Sequence, residues 1–307
     1  MIGIGIGLVG GGITNQLPFR FTINTNNTSA GSSTSTQFKL PLVSSGTLNA
    51  VVNWGDGTSS TITAWDQVEV THTYPIAGLY DIRITGVLSG WRFNNTGDRL
   101  KILNIISWGV LNISVAEVFF GCANLTASAI DAPRITSTSL NGCFDSCANF
   151  NGFVKNWNVS NVTNFGSVFS GATAFNQDIS TWNVSSGTIF YYMFLNAISF
   201  NQNIGSWNVS SATRMELMFY NATAFNENIG TWNVSNVSNF SNFMGLKTAA
   251  NYSAANLDAI YNGWSSRPVK PNLNINFGSI KYTAAGQAGK DILDFAPNNW
   301  TIVDGGI

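Results

Sequence analysis

The sequence predicts an α+β chain in three folded parts: an N-terminal β-sandwich, a solenoid of short helix-and-strand units, and a C-terminal α/β cap. Three observations carry this reading. Short alternating runs broken by Ser, Thr, Gly and Asn turns begin at Pro18, aromatic residues later recur at intervals of 25, and two helical stripes precede a last strand near the C-terminus. The boundaries follow as an apolar, Gly-rich tail over 1–17, the sandwich over 18–98, the repeats over 99–250 and the cap over 251–307.

Composition limits the function classes. Charged residues make up 9% of the 307, against about 25% in ordinary soluble domains. With 14 Lys/Arg against 15 Asp/Glu and no basic cluster, the chain cannot neutralise phosphates, so nucleic acid is excluded as a partner. Ten Trp, 21 Phe and 8 Tyr supply enough apolar area to order the chain. Solubility then rests on Asn, Ser, Thr and Gly, giving a neutral surface rich in hydrogen-bonding groups.

In the tail, Ile2, Ile4, Ile6 and Leu8 alternate with glycine. The segment lacks the positive start and continuous apolar core of a secretory signal, and no stretch approaches the ~20 apolar residues of a membrane span. An extended chain of this pattern presents one apolar edge. It is expected to pack on another subunit of an assembly or to add an edge strand to its own domain.

The sandwich is read from Phe19–Ile23, Gln37–Leu40 and Leu48–Trp54, followed by a Gly55-Asp56-Gly57 hairpin turn and strands at Thr71–Tyr74 and Gly78–Ile84. Asn53-Trp54-Gly55-Asp56-Gly57, His72-Thr73-Tyr74 and Ala77-Gly78-Leu79-Tyr80 resemble the polycystic-kidney-disease (PKD) type of immunoglobulin-like domain, which implies an Ig-like sandwich. His72 is the sole histidine. No nucleophile or carboxylate partner accompanies it in sequence, so it reads as a structural residue beside the turn. Asp56, Asp66 and Asp81 are too scattered for a calcium loop.

The repeats are the strongest signal. Trp157, Trp182, Trp207 and Trp232 form one column, Phe150, Phe175, Phe200 and Phe225 another, and Phe119, Phe144, Phe169, Phe194 and Phe219 a third. Val159, Val184, Val209 and Val234 form a fourth, and Asn158, Asn183, Asn208 and Asn233 a fifth. Within a unit, the apolar residues of Phe165-Gly166-Ser167-Val168-Phe169 fall at helical spacing, whereas Ile179–Val184 alternates as a strand does. One unit cannot bury its own aromatic residues, but stacked units share a continuous core, with like residues about 4.8 Å apart. The Asn columns are expected to bond along the stack. About six units beginning near residue 99 would extend about 30 Å at that spacing.

Ala174-Phe175-Asn176-Gln177-Asp178-Ile179 with Trp182-Asn183-Val184-Ser185, and the equivalent run Phe200–Ser210, resemble the BspA-like leucine-rich-repeat surface proteins, also described as Mycoplasma-lipoprotein-type repeats. The resemblance implies a leucine-rich-repeat-like solenoid. Cys122 and Cys147 share a column with Ala172, Ala197 and Ala222, so they read as small buried residues; the cysteine pattern supports no zinc site. In the cap, Leu257, Ile260, Tyr261 and Trp264 make a helical stripe, Thr283–Leu293 a second helix, and Trp300–Val303 a strand. The flanking Lys281–Gly286 and Trp300–Gly306 segments are similar to a terminal module of bacterial surface and phage proteins.

Enzyme chemistry has no foothold in this pattern, and no cofactor or metal is expected. Asp178, Glu216 and Glu227 occupy different repeat positions, so no catalytic carboxylate pair is predicted. The expected function is a non-enzymatic bacteriophage virion surface protein: a spike, fibre or capsid decoration. It would be anchored to other virion subunits by its tail, assembled as a homo-oligomer or within a larger particle, and would display its repeats to a host surface protein or glycan. A bacterial cell-surface adhesin is the alternative, and a glycan-cleaving phage enzyme the second. Tyr191, Tyr192, Arg214 and Tyr220 stand where the repeats differ from one another. They are the candidate recognition surface, because aromatic residues and Arg dominate binding hot spots.

Overall fold

The computed structural model describes residues 16–307. Ile2, Ile4, Ile6 and Leu8 lie outside the described residues. Strand β1 (Phe19–Asn24) alternates as its sequence requires, burying Phe19, Phe21 and Ile23. It pairs antiparallel with β6 (Leu79–Ser89) on one side and β7 (Ile102–Ser107) on the other. On its other edge, β6 pairs with β3 (Leu48–Asn53), which forms a hairpin with β4 (Ser59–Ile62). The far end of β6 runs parallel to β8 (Leu111–Ile113), which pairs with β10 (Arg134–Ile135), while β7 runs parallel to β9 (Thr126–Ala127). A separate two-stranded sheet joins β2 (Gln37–Lys39) to β5 (Thr71–Thr73).

This overturns the expected fold class. The strands of 18–98 do not close as an immunoglobulin-like sandwich; apart from β2 and β5 they belong to one mixed eight-stranded sheet that continues to Ile135. The cause lies in β1, whose second edge would otherwise be unpaired. β7 occupies it and adds Ile102 and Ile105 to the buried face. Local turn chemistry is nonetheless as the residues dictate. Gly55 and Gly57 adopt φ of 84° and 92°, a left-handed geometry that glycine tolerates, and Trp54 N–H donates to Thr58 O at 3.1 Å across the hairpin.

The repeats depart from expectation more instructively. Among the described residues, α-helix is confined to α1 (Ala254–Ser265) and α2 (Ala284–Asp294), so no repeat unit contains the predicted short helix. In Phe165–Gly171, alternate N–H groups point to the next unit: Phe165 to Ile189 O, Ser167 to Tyr191 O, Phe169 to Met193 O and Gly171 to Leu195 O, at 2.7–3.0 Å. The intervening N–H groups of Val168, Ser170 and Ala172 close tight turns three residues back, onto Phe165, Ser167 and Phe169. Left-handed φ values of 52° at Ser167 and 65° at Gly171 produce this alternation. A helix would have used every N–H within the unit. Turning half of them outward bonds one rung to the next while keeping Phe165, Val168 and Phe169 inward. The predicted strand at Ile179–Val184 is likewise turn and irregular chain; strand character shrinks to single-residue parallel bridges, Ser139–Asn164–Ile189–Arg214–Asn239. The helix-and-strand solenoid is therefore replaced by rungs of linked turns.

Side-chain columns nevertheless align. Phe119, Phe144, Phe169, Phe194 and Phe219 stack at successive centroid distances of 5.6, 5.8, 5.9 and 5.5 Å. Phe150, Phe175, Phe200 and Phe225 stack at 6.2, 5.9 and 5.9 Å. Trp182, Trp207 and Trp232 each donate Nε1–H to a carbonyl of the preceding rung, Val154, Ile179 and Ile204, at 2.9, 3.1 and 3.1 Å. The Asn columns divide in a way the spacing did not reveal. Asn158, Asn183, Asn208 and Asn233 bond locally, each accepting from the Ser two residues on. The ladder along the stack belongs instead to Asn151, Asn176, Asn201 and Asn226. Each of the first three accepts the backbone N–H of the next, and Asn226 accepts that of Ser253, at 2.8–2.9 Å.

The C-terminal residues end this ladder. Ser253 caps α1 by accepting Asn256 N–H, and Thr283 caps α2 by accepting Ala285 N–H. Leu257, Ile260, Tyr261 and Trp264 are buried on α1, and Trp264 Nε1–H donates to Ile229 O at 3.2 Å, repeating the rung tryptophan bond from a helix. Gly263 of α1 crosses Gly230 so closely that a Cβ on either would collide with the other segment's backbone. β11 (Asn274–Asn276) pairs parallel with β12 (Thr301–Val303), and Ile275 bridges back to Phe240.

Candidate functional site

The rungs vary most where a chemistry-bearing surface can be built. Tyr191 occupies the column of Asn141, Gly166 and Glu216. Its ring lies over Gly166, where a Cβ would stand 2.7 Å from Tyr191 Cζ, and its hydroxyl donates to Asn141 Oδ1 at 2.9 Å, two rungs back. Arg214 places its guanidinium 4.7 Å from the Tyr191 ring centroid and pairs with Glu216 through Nε–H at 2.9 Å. Tyr192 meets Tyr191 edge-on at 5.3 Å and is 36% exposed. Three of the four sequence candidates thus form one cluster of two phenol rings and a cation. Tyr220 stands apart from them, packed on Gly245 of the following rung.

Two members were not anticipated. Asn141 comes from an early rung, and only the glycine at 166 lets Tyr191 reach it. Glu216 is 4% exposed, and its Oε2 has no hydrogen-bond donor. The signal for both was the Asn-Gly-Tyr-Glu succession down a single column, in which a small residue faces a large one.

Backbone strain marks the same face. The column 117, 142, 167, 192, 217, 242 adopts φ between 52° and 62° in every rung. Gly142, Ser167 and Asn242 are small or suited to that region and Glu117 is held by Arg92, whereas Tyr192 and Leu217 are bulky. Such strain is of order 1 kcal/mol per residue, and neither side chain is buried.

Several other titratable groups are engaged structurally. His72 Nε2 lies 2.7 Å from Asp56 Oδ2, with its ring stacked 4.7 Å from that of Trp54. Asp178 pairs with Lys155 at 2.7 Å. Cys122, Cys143 and Cys147 are unbridged and buried, which pushes their thiols up in pKa. Among the described residues, no three His, Cys, Asp or Glu gather as metal ligands. No helix there is long and apolar enough to cross a membrane.

The family described as Mycoplasma protein of unknown function, DUF285, matches residues 138–257. That span covers the regular rungs and the start of α1, so the similarity supports the repeat resemblance there and does not reach the mixed sheet. Among curated proteins and solved structures, nothing matches the chain.

Proposed function

We propose that the protein is a non-enzymatic, surface-displayed recognition protein, a bacteriophage spike, fibre or capsid decoration that presents its rung face to a host protein or glycan. The observation that carries this reading is the placement of Tyr192 and Leu217 in a left-handed column that otherwise holds Gly142, Ser167 and Asn242 and, paired with Arg92, Glu117. Strain held by an exposed Tyr192 and a half-buried Leu217, beside an Arg214–Tyr191 stack, is accounted for by what those side chains contact outside the molecule. The neutral, Asn- and Ser-rich exterior supports a partner rich in hydrogen-bonding groups.

The match to a family described from Mycoplasma favours a second reading, an adhesin on a bacterial cell surface. Mass spectrometry of purified virions and of cell envelopes separates the two: the chain is expected in virions, and recovery from envelopes alone transfers the proposal to the adhesin. For the recognition surface, full-length protein carrying Tyr192→Asn or Arg214→Ala is expected to lose most of its binding to host cells. Wild-type binding by both variants would remove the Tyr191 cluster from the interface. Deleting the tail with Ile2, Ile4, Ile6 and Leu8 is expected to prevent incorporation into the particle; incorporation without it would end the anchoring role.

A further inference from the structure

Away from the Tyr191 cluster, a groove of about 690 Å³ lies between adjacent rungs, lined by Ser180, Asn203, Ser206, Trp207, Glu227 and Thr231 among others. Comparison down the stack isolates one residue in it. Gln177 donates its side-chain amide to Asn151 Oδ1 at 3.1 Å, and Gln202 donates to Asn176 Oδ1 at 2.8 Å and to Asn176 O at 3.0 Å. Glu227 holds the same position one rung on. A carboxylate has no hydrogen to give Asn201, so the bond is missing at this rung. The ladder itself does not need it, since Asn226 N–H still donates to Asn201 Oδ1 at 2.8 Å. Among the described residues, Glu227 has neither a cation partner nor a side-chain donor, although it is half-buried.

We infer that this groove is a binding site for a neutral, hydroxyl-rich saccharide, with the Glu227 carboxylate accepting hydrogen bonds from sugar hydroxyls. This rests on the surface-recognition reading and names the ligand class for a second site on the rungs. The lining fits such a ligand and excludes others. It offers amides and hydroxyls from Asn203, Ser206 and Thr231, with Trp207 almost fully buried and no Lys or Arg to receive an anion. The unpaired carboxylate supplies the strong acceptor that neutral side chains lack.

The test uses the full chain and calorimetric titration with neutral gluco-, galacto- and manno-oligosaccharides, and with a sulfated oligosaccharide as the anionic probe. Wild type is expected to bind a neutral probe and to ignore the sulfated one. Glu227→Gln installs the residue of the two preceding rungs, which restores the amide bond to Asn201. It should therefore fold with an unchanged or higher Tm while binding falls about tenfold or more. Ser206→Phe, at an exposed position that fills the groove, should abolish binding, and Tyr192→Asn should leave it intact. The inference is overturned if no neutral probe binds, if the sulfated probe binds better, or if Glu227→Gln binds as wild type does. Host-cell binding by a wild type that fails these titrations would sink the saccharide site and leave surface recognition standing. Loss of both would sink both.

Discussion

In the mixed sheet, Phe19 meets Trp91 edge-on at 5.1 Å and Phe21 meets Phe38 at 6.0 Å, partners drawn from elsewhere in the chain. In the rungs, Phe169 stacks on Phe144 and Phe194, its own equivalents one unit away. Each sheet residue therefore has an environment of its own, whereas each rung residue inherits one from its neighbours. The ends of the stack, where a neighbour is missing, show what that inheritance supplies. Trp157, the first of its column, has a buried Nε1–H with no acceptor, while the later tryptophans all have one. At the other end, Lys247 occupies the column of Ala172, Ala197 and Ala222. There its buried ammonium donates to the carbonyls of Ala222, Thr223, Phe225 and Asn251 at 2.5–3.0 Å. Lys101 does the same beside the sheet, donating to Ser33 O, Thr34 O and Gln37 O with Asp98 at 3.3 Å. A buried cation saturating orphan carbonyls does at the last rung what backbone N–H groups do within the stack.

The comparison is most readily broken in mid-stack. Phe169→Ala removes contacts to both neighbouring rungs and to Phe175, and is expected to cost about 3–5 kcal/mol in denaturant unfolding. Phe169→Ala combined with Phe194→Ala should cost less than the sum of the two, because they share a contact; strict additivity would refute the shared-column account. A finer division lies within the Trp column. Trp182→Phe removes one of the two donors to Val154 O, leaving the Trp157 N–H at 3.1 Å, whereas Trp157→Phe relieves an unpaired donor. The first should be the more destabilising by about 1 kcal/mol, and equal costs would show that the indole bond contributes nothing.

Lys247 sharpens the contrast through pH. Burial lowers its pKa to about 7 from an ordinary 10.5, so between those values the unfolded chain holds the extra proton and stability should rise with pH. The slope is at most about 1.4 kcal/mol per pH unit. Unfolding measured from pH 7 to 8, below the range in which the unfolded thiols of Cys122, Cys143 and Cys147 ionise and reverse the trend, should show this rise, and Lys247→Met should remove most of it. Lys101, also lowered by burial although Asp98 opposes the shift, supplies the remainder; an unchanged slope in the variant would exclude Lys247 as its source. The smallest effect belongs to the strained column. Tyr192→Asn is expected to raise stability by up to about 1 kcal/mol, whereas in the sheet Gly86, at φ 93° against Asn49 O, should lose stability on mutation to Ala. A destabilised Tyr192→Asn would mean that the tyrosine packs instead of waiting for a partner.

Legibility followed the same division. The columns of Trp, Phe and Val could be read directly because periodic burial leaves a periodic sequence, and Tyr191, Tyr192 and Arg214 stood out as breaks in it. The helix expected at Phe165–Phe169 failed because apolar spacing at i, i+3 and i+4 specifies which side chains turn inward but not where the N–H groups point. Asn141 escaped notice because Tyr191 reaches it across two rungs, through the gap left by Gly166, and Glu216 joins the cluster only through its pairing with Arg214.

The sequence by itself determined the register of the rungs, the identity of the stacked side chains and the neutral polar exterior, since these depend only on which residues recur and at what interval. Tertiary structure alone decided that half the turn amides bond to the next rung, that β7 fills the open edge of β1 in place of a closed sandwich, and that Lys247 and Trp264 complete the last layer. Each of those outcomes satisfies a buried backbone or indole group, and whether such a group finds its partner nearby or in another segment depends on distances that exist only after the chain has folded.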